Sequence, residues 1–132
     1  RFYKSFDALK EKYKDDSNLK FCRNVKDLEK YMKKADLAIS AGGTTLYELC
    51  AVGTPTISYS FADNQLYNVK QFAKENLIDY AGDVRRDDIF SKVVALYQKY
   101  DTDRSNRKER SVAMQRAVDG KGAKRIAKVM VR

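Results

Sequence analysis

Histidine is absent from this sequence. That removes the side chain best suited to base catalysis near neutral pH, and with it any His-ligated metal. Only two cysteines occur, Cys22 and Cys50. They lack metal-ligand spacing, and their apolar neighbours read as those of reduced core thiols. No apolar run approaches membrane-spanning length and no signal peptide is visible, so a cytoplasmic location is expected. Internal repeats and low-complexity segments are also missing. Pro55 is the single proline, which makes it a strong punctuation mark.

What is present suits one soluble globular domain over residues 1–132, large enough to bury a core. The chain opens inside a helical pattern without a start Met, which reads as a domain excised from a larger protein, with processing as the alternative. Its formal charge of +9 raises the question of nucleic acid. The charge is uneven: +5 over residues 1–34, −4 over 35–83, +1 over 84–98 and +7 over 99–132. The basic ends flank an acidic middle, and the tail after Tyr100 carries no aromatic residue for stacking on bases. Solvated helix faces are the expected reading. Nucleic acid is not an expected partner, and contact with an anionic membrane surface stands as a minority reading.

The acidic middle holds the informative stretch, ADLAISAGGTTLYELCAVGTPTISYSFADNQ, Ala35 to Gln65. Asp36–Ser40 reads as a buried parallel strand. Ala41-Gly42-Gly43 reads as a tight turn with positive φ, and Thr44 or Thr45 as the cap of a helix running to about Val52. Gly53 closes that helix in a left-handed conformation, and Pro55 starts a strand over Thr56–Tyr59. A strand, a glycine turn and a helix N-terminus together make an anion site, because free N–H groups and the helix dipole point at the ligand. A nucleotide diphosphate is the expected occupant. Two glycines between strand and helix are weak evidence alone, being neither G-x-G-x-x-G nor a Walker loop. Glu48, one turn on, and the polar Ser60–Gln65 loop strengthen the functional reading. In an open parallel sheet, ligands bind at the carboxyl edge of the strands, where both loops fall.

The remaining elements follow from periodicity. Phe2–Lys14 is an amphipathic helix, Leu19–Cys22 a strand, and Asn24 the cap of a helix ending near Lys34. Leu66–Glu75 is a helix capped by Asn64, and Ile78–Ala81 a strand closed by Gly82. Arg85–Tyr100, Ser105–Val118 and Ala123–Val131 are helices, with turns at Asp101-Thr-Asp103 and Asp119–Gly122. Alternating strands and helices predict an α/β fold, a Rossmann-like parallel sheet flanked by helices.

These residues resemble the C-terminal domain of GT-B glycosyltransferase-like enzymes. The likeness is greatest to the UDP-sugar hydrolase of pseudaminic acid biosynthesis and to spore-coat polysaccharide biosynthesis proteins. The N-acetylglucosaminyltransferase of peptidoglycan synthesis is a more distant relative on this reading. The ADLAI strand, AGGTT turn, helical Glu48, Gly53-Thr-Pro55 step and Ala62-Asp-Asn-Gln65 loop carry the resemblance. The turn at Asn24 and the run Asp119-Gly-Lys-Gly-Ala-Lys-Arg-Ile126 extend it.

The resemblance implies a UDP-sugar substrate, no cofactor and no metal. It implies that Gly42, Gly43, Thr44 and Thr45 hold the diphosphate, that Glu48 takes the ribose hydroxyls and that Asn24 and Val25 meet uracil. Asp63, Asn64 and Gln65 would face the hexose. Tyr47-Glu48-Leu49 stands where the hydrolase commonly has Trp-Glu-Arg. The implied role is the UDP-sugar-binding half of a glycosyltransferase or UDP-sugar hydrolase in bacterial surface polysaccharide or nonulosonic acid biosynthesis. No catalytic residue is assigned to this chain. The catalytic histidine of the hydrolase belongs to an N-terminal Rossmann-like domain, the implied partner here, so this chain alone would bind nucleotide without turnover. A non-catalytic interaction module and a basic nucleic-acid-binding domain are the alternatives.

Overall fold

The computed structural model describes residues 5–131. Helices α1 (Phe6–Lys12) and α2 (Leu28–Lys34) lead into β1 (Ala38–Ala41), α3 (Thr45–Val52) and β2 (Thr56–Ser60). Then come α4 (Asp63–Lys74), β3 (Asp79–Asp83), α5 (Ile89–Thr102), α6 (Arg104–Ala117) and α7 (Gly122–Met130). The three strands form one parallel sheet in the order β1-β2-β3, with Ala41 opposite Tyr59 and Ser60 opposite Asp83. The α/β, Rossmann-like architecture expected from the alternation is the one observed.

Side-chain alternation along the strands feeds two apolar clusters, one on each face of the sheet. On one face Leu46, Leu49 and Cys50 of α3 meet Val69 and Phe72 of α4, Met32 of α2, Met114 of α6 and Ile78. On the other, Ile57 and Ala81 pack with Tyr100, Val93 and Leu96 of α5. Tyr100 is fixed further by its hydroxyl, which donates to Asp79 Oδ2 at 2.5 Å. Arg110 reaches the same carboxylate oxygen at 3.3 Å. One helix end decides how α3 sits. Gly53 ends it with φ +77°, and a Cβ there would lie 2.7 Å from Ser111 Oγ and 2.8 Å from Gln115 Cγ of α6. Glycine is needed for both conformation and close approach.

Several expectations are corrected. Leu19–Cys22 forms no strand. Phe21 turns instead toward Phe6, with ring centroids 6.1 Å apart at 84°, and the Arg23 guanidinium covers the Phe6 ring at 4.2 Å. That local aromatic cluster takes the side chain a sheet would have needed. β1 is therefore an edge strand rather than a buried one, and Ile39 is 55% exposed. Asn24 caps nothing: it adopts a left-handed conformation with φ 55°, and α2 starts at Leu28 after Asp27. The Asp27 carboxylate is held by Lys30 at 2.7 Å and not by the helix N–H groups. Cys22 is exposed and only Cys50 is a core thiol, its pKa pushed up by burial to about 12. β3 runs through Gly82 to Asp83, and α5 extends over Asp101 and Thr102. Asp103 then caps α6 by accepting from the Asn106 N–H at 2.9 Å. α1 starts at Phe6 among the described residues, and the Phe2–Lys4 part of the expected helix lies outside them.

Candidate functional site

The glycine turn lies where β1 hands the chain to α3, at the carboxyl edge of the sheet. The Gly42 N–H donates to the Tyr59 carbonyl at 2.8 Å, tying the turn to the end of β2. Neither glycine has the positive φ expected of it. Gly42 is required by packing: a Cβ there would stand 2.0 Å from Val69 Cγ1 of α4. Gly43 faces open space, with nothing within 4 Å of an added Cβ. Thr44 is already helical (φ −61°, ψ −24°), and no threonine hydroxyl caps α3. Among the described residues, no acceptor takes the backbone N–H of Thr44 or Thr45. The helix N-terminus thus presents unpaired donors beside an unobstructed glycine, the arrangement that favours an anion.

The second loop is brought alongside. Gln65 is the nearest residue of α4 to the turn after Val69, its Cβ 3.5 Å from the position of a Gly42 Cβ. Its side-chain oxygen accepts from the Phe61 N–H at 3.1 Å, so Gln65 closes its own loop as well as bordering the turn. Asn64 does not cap α4; the helix begins at Asp63 after Ala62, which places both Asp63 and Asn64 in its first turn. Asp63 is gripped by a residue the sequence reading missed. Arg85 Nη2 lies 2.7 Å from Asp63 Oδ1 and 2.7 Å from Asp83 Oδ2, while its Nε donates to Asp83 Oδ1 at 2.9 Å. Arg85 holds both carboxyls below the usual carboxylate range, more strongly the buried Asp83. The signal for it was available: Arg85 comes two residues after the end of β3, at the same carboxyl edge as the acidic loop.

Glu48 stands in the first turn of α3, fully on its exposed side. Its neighbour Tyr47 packs edge-on against Phe72, with centroids 5.0 Å apart, which locks α3 to α4 and leaves the carboxylate free in solvent. Asn24 and Val25 are not brought to the turn by any hydrogen bond of the described residues. The turn is an open half-site. A hollow of about 340 Å³ lies instead at the opposite edge of the sheet, where Lys33, Gly53, Pro55, Arg104 and Lys108 line it. An apolar groove of about 300 Å³ runs beside β1, between Tyr31, Ile39 and Thr45. No group of three or more potential metal ligands occurs among the described residues.

The chain is similar to enzymes named UDP-N-acetylglucosamine–N-acetylmuramyl-(pentapeptide) pyrophosphoryl-undecaprenol N-acetylglucosamine transferase. One from Helicobacter pylori strain P12 is 37% identical over 107 residues, which cover 76% of this chain and 30% of that protein. One from H. pylori strain ATCC 700392 / 26695 is 36% identical over 118 residues, covering 84% of this chain and 33% of the relative. One from H. acinonychis is 55% identical over a shorter span of 51 residues, covering 35% of this chain and 14% of the relative. The chain therefore spans about a third of the length of the relatives it matches most extensively. Their names describe transferases and not the hydrolase to which the sequence motifs bore the greatest likeness. No solved structure matches. The glycosyltransferase family 28 C-terminal domain matches residues 3–130, nearly the whole chain, and the protein belongs to that family of GT-B glycosyltransferase C-terminal domains.

Proposed function

We propose that this chain is the donor-binding half of a glycosyltransferase that takes UDP-N-acetylglucosamine and glycosylates a polyprenyl-pyrophosphate-linked acceptor at the cytoplasmic side of a membrane. The observation that carries the reading is the open glycine turn, with the unpaired N–H groups of Thr44 and Thr45 beside Gly43. In the proposed complex the diphosphate lies on Gly42, Gly43, Thr44 and Thr45. The acidic middle of the chain offers it no net side-chain attraction, so backbone N–H groups and the helix dipole supply the stabilisation. Glu48 accepts the ribose hydroxyls, and Asp63, Asn64 and Gln65 face the hexose. Asn24 and Val25 meet the uracil.

The relatives' printed names support the donor and the lipid-linked acceptor. The openness of the turn supports a second domain as the other wall of the cleft. With no histidine of its own, this chain binds the donor and does not turn it over. Titration with UDP and with UDP-N-acetylglucosamine, followed by amide NMR, tests the reading. Shifts are expected at Gly42–Thr45 and Glu48, with no release of free sugar. Shifts confined to the basic tail would refute it.

A further inference from the structure

The Asp63 side chain is 81% exposed at the start of α4, where a carboxylate ordinarily moves freely or turns back to bond the helix N–H groups. Here it does neither. Among the described residues its one partner is Arg85, whose Nη2 donates to Oδ1 at 2.7 Å, and Oδ2 takes no donor. Arg85 is itself immobilised. Its Nε and Nη2 donate to the two oxygens of Asp83 at 2.9 and 2.7 Å, and its backbone N–H donates to Asp83 Oδ1 at 3.0 Å. The Asp83 side chain is only 7% exposed. The chain that carries it is tied down on both sides. The Asp83 N–H donates to Asp87 Oδ2 at 2.8 Å, and the Val84 N–H donates to the Ser60 carbonyl at the end of β2 at 2.9 Å.

An ordinary surface ion pair orders two long side chains for little gain. A guanidinium already fixed by two parallel bonds to a buried carboxylate has lost that freedom beforehand, so it can hold a second carboxylate at little further cost. The rigidity of the sheet is thereby passed to an exposed carboxylate 22 residues away. We infer that Arg85 is a positioning residue for the hexose of the donor: it holds Asp63 in one orientation, so that the open Oδ2 accepts a sugar hydroxyl. On the donor reading above, from which this follows, Asp63 faces the hexose, and Arg85 is what keeps it there. An Asp free to rotate would have to be ordered by the sugar. A preset acceptor leaves that part of the binding energy to the contact itself.

The test compares UDP with UDP-N-acetylglucosamine by calorimetric titration of this chain and of its variants Asp63→Ala, Arg85→Met and the two combined. Each single variant should bind UDP-N-acetylglucosamine about ten-fold or more weakly. The combined variant should bind it no more weakly than either, because both changes remove one contact. UDP, which lacks the hexose, should bind all of them alike. Arg85→Met strips a buried carboxylate of its partner and endangers the fold, so Arg85→Lys is measured beside it. Lysine keeps a cation for Asp83 without the planar fork, and should lose the same hexose contact. Thermal unfolding checks that each variant is folded. Unchanged UDP-N-acetylglucosamine affinity in folded Arg85→Lys overturns the inference, as do losses that add in the combined variant. A parallel fall in UDP affinity overturns it too, since Arg85 would then act through the fold. Amide shifts of wild type with UDP are read separately. Their absence at the glycine turn removes the donor reading and this role with it, whereas shifts there without a hexose effect remove the role of Arg85 alone.

Discussion

Two adjacent glycines carry different burdens, although the sequence presents them as one motif. Gly42 is squeezed by Val69, whereas Gly43 borders empty space. Gly42→Ala should therefore destabilise the fold by about 1–3 kcal/mol through overpacking, seen as a lower thermal midpoint. Gly43→Val should leave the midpoint nearly unchanged and weaken UDP binding, seen by calorimetric titration. Equal effects on both observables would refute this division. The glycine pair was legible as a turn, but its cause was not. Spacing suggested a left-handed backbone, while the contact that excludes a side chain comes from α4, 27 residues further along the chain. Glu48 was legible by the opposite logic, as a carboxylate one turn past Thr44 among buried neighbours. Its loss in Glu48→Gln should weaken UDP binding about ten-fold or more with little change in thermal stability. A UDP analogue without ribose hydroxyls should bind both proteins alike. If the variant weakens the deoxy ligand equally, the ribose contact is wrong.

Elements that declare themselves by long periodic patterns were read closely: α3 to α7 fall within a few residues of their expected ends. The error came at Leu19–Cys22, where four residues carry too little pattern to decide. Phe21 found an aromatic partner nearer in sequence than the sheet. β1 is left as an edge in consequence. Ala38 and Gly42 donate inward to Pro55 and Tyr59, so the alternation of a parallel ladder leaves the Ile39 and Ala41 N–H groups on the outer side. Those two amides should exchange with deuterium about a hundred-fold or more faster than those of Ile57 and Ser58 in the central strand. Comparable protection would mean that another segment covers the edge in solution.

At the scale of the whole molecule, the glycine turn depends on packing that no local reading could reveal. The front end of α3 carries the unpaired N–H groups of the proposed donor site. Its rear end is held by α6, where Gln115 Nε2 donates to the Val52 carbonyl at 3.1 Å across 63 residues of sequence. Met114, fully buried, enters the cluster beneath α3 from the same helix. The periodicity of α6 announced a helix, but nothing in it said which helix it would brace. This has a consequence for synthesis. A nascent chain that has emerged only as far as β3 already contains every residue proposed to touch the donor, yet lacks the brace that keeps α3 in place. The proposed half-site matures late, when the ribosome is close to finishing this stretch, and until then the half-made sheet presents its apolar face to the chaperones of the cell.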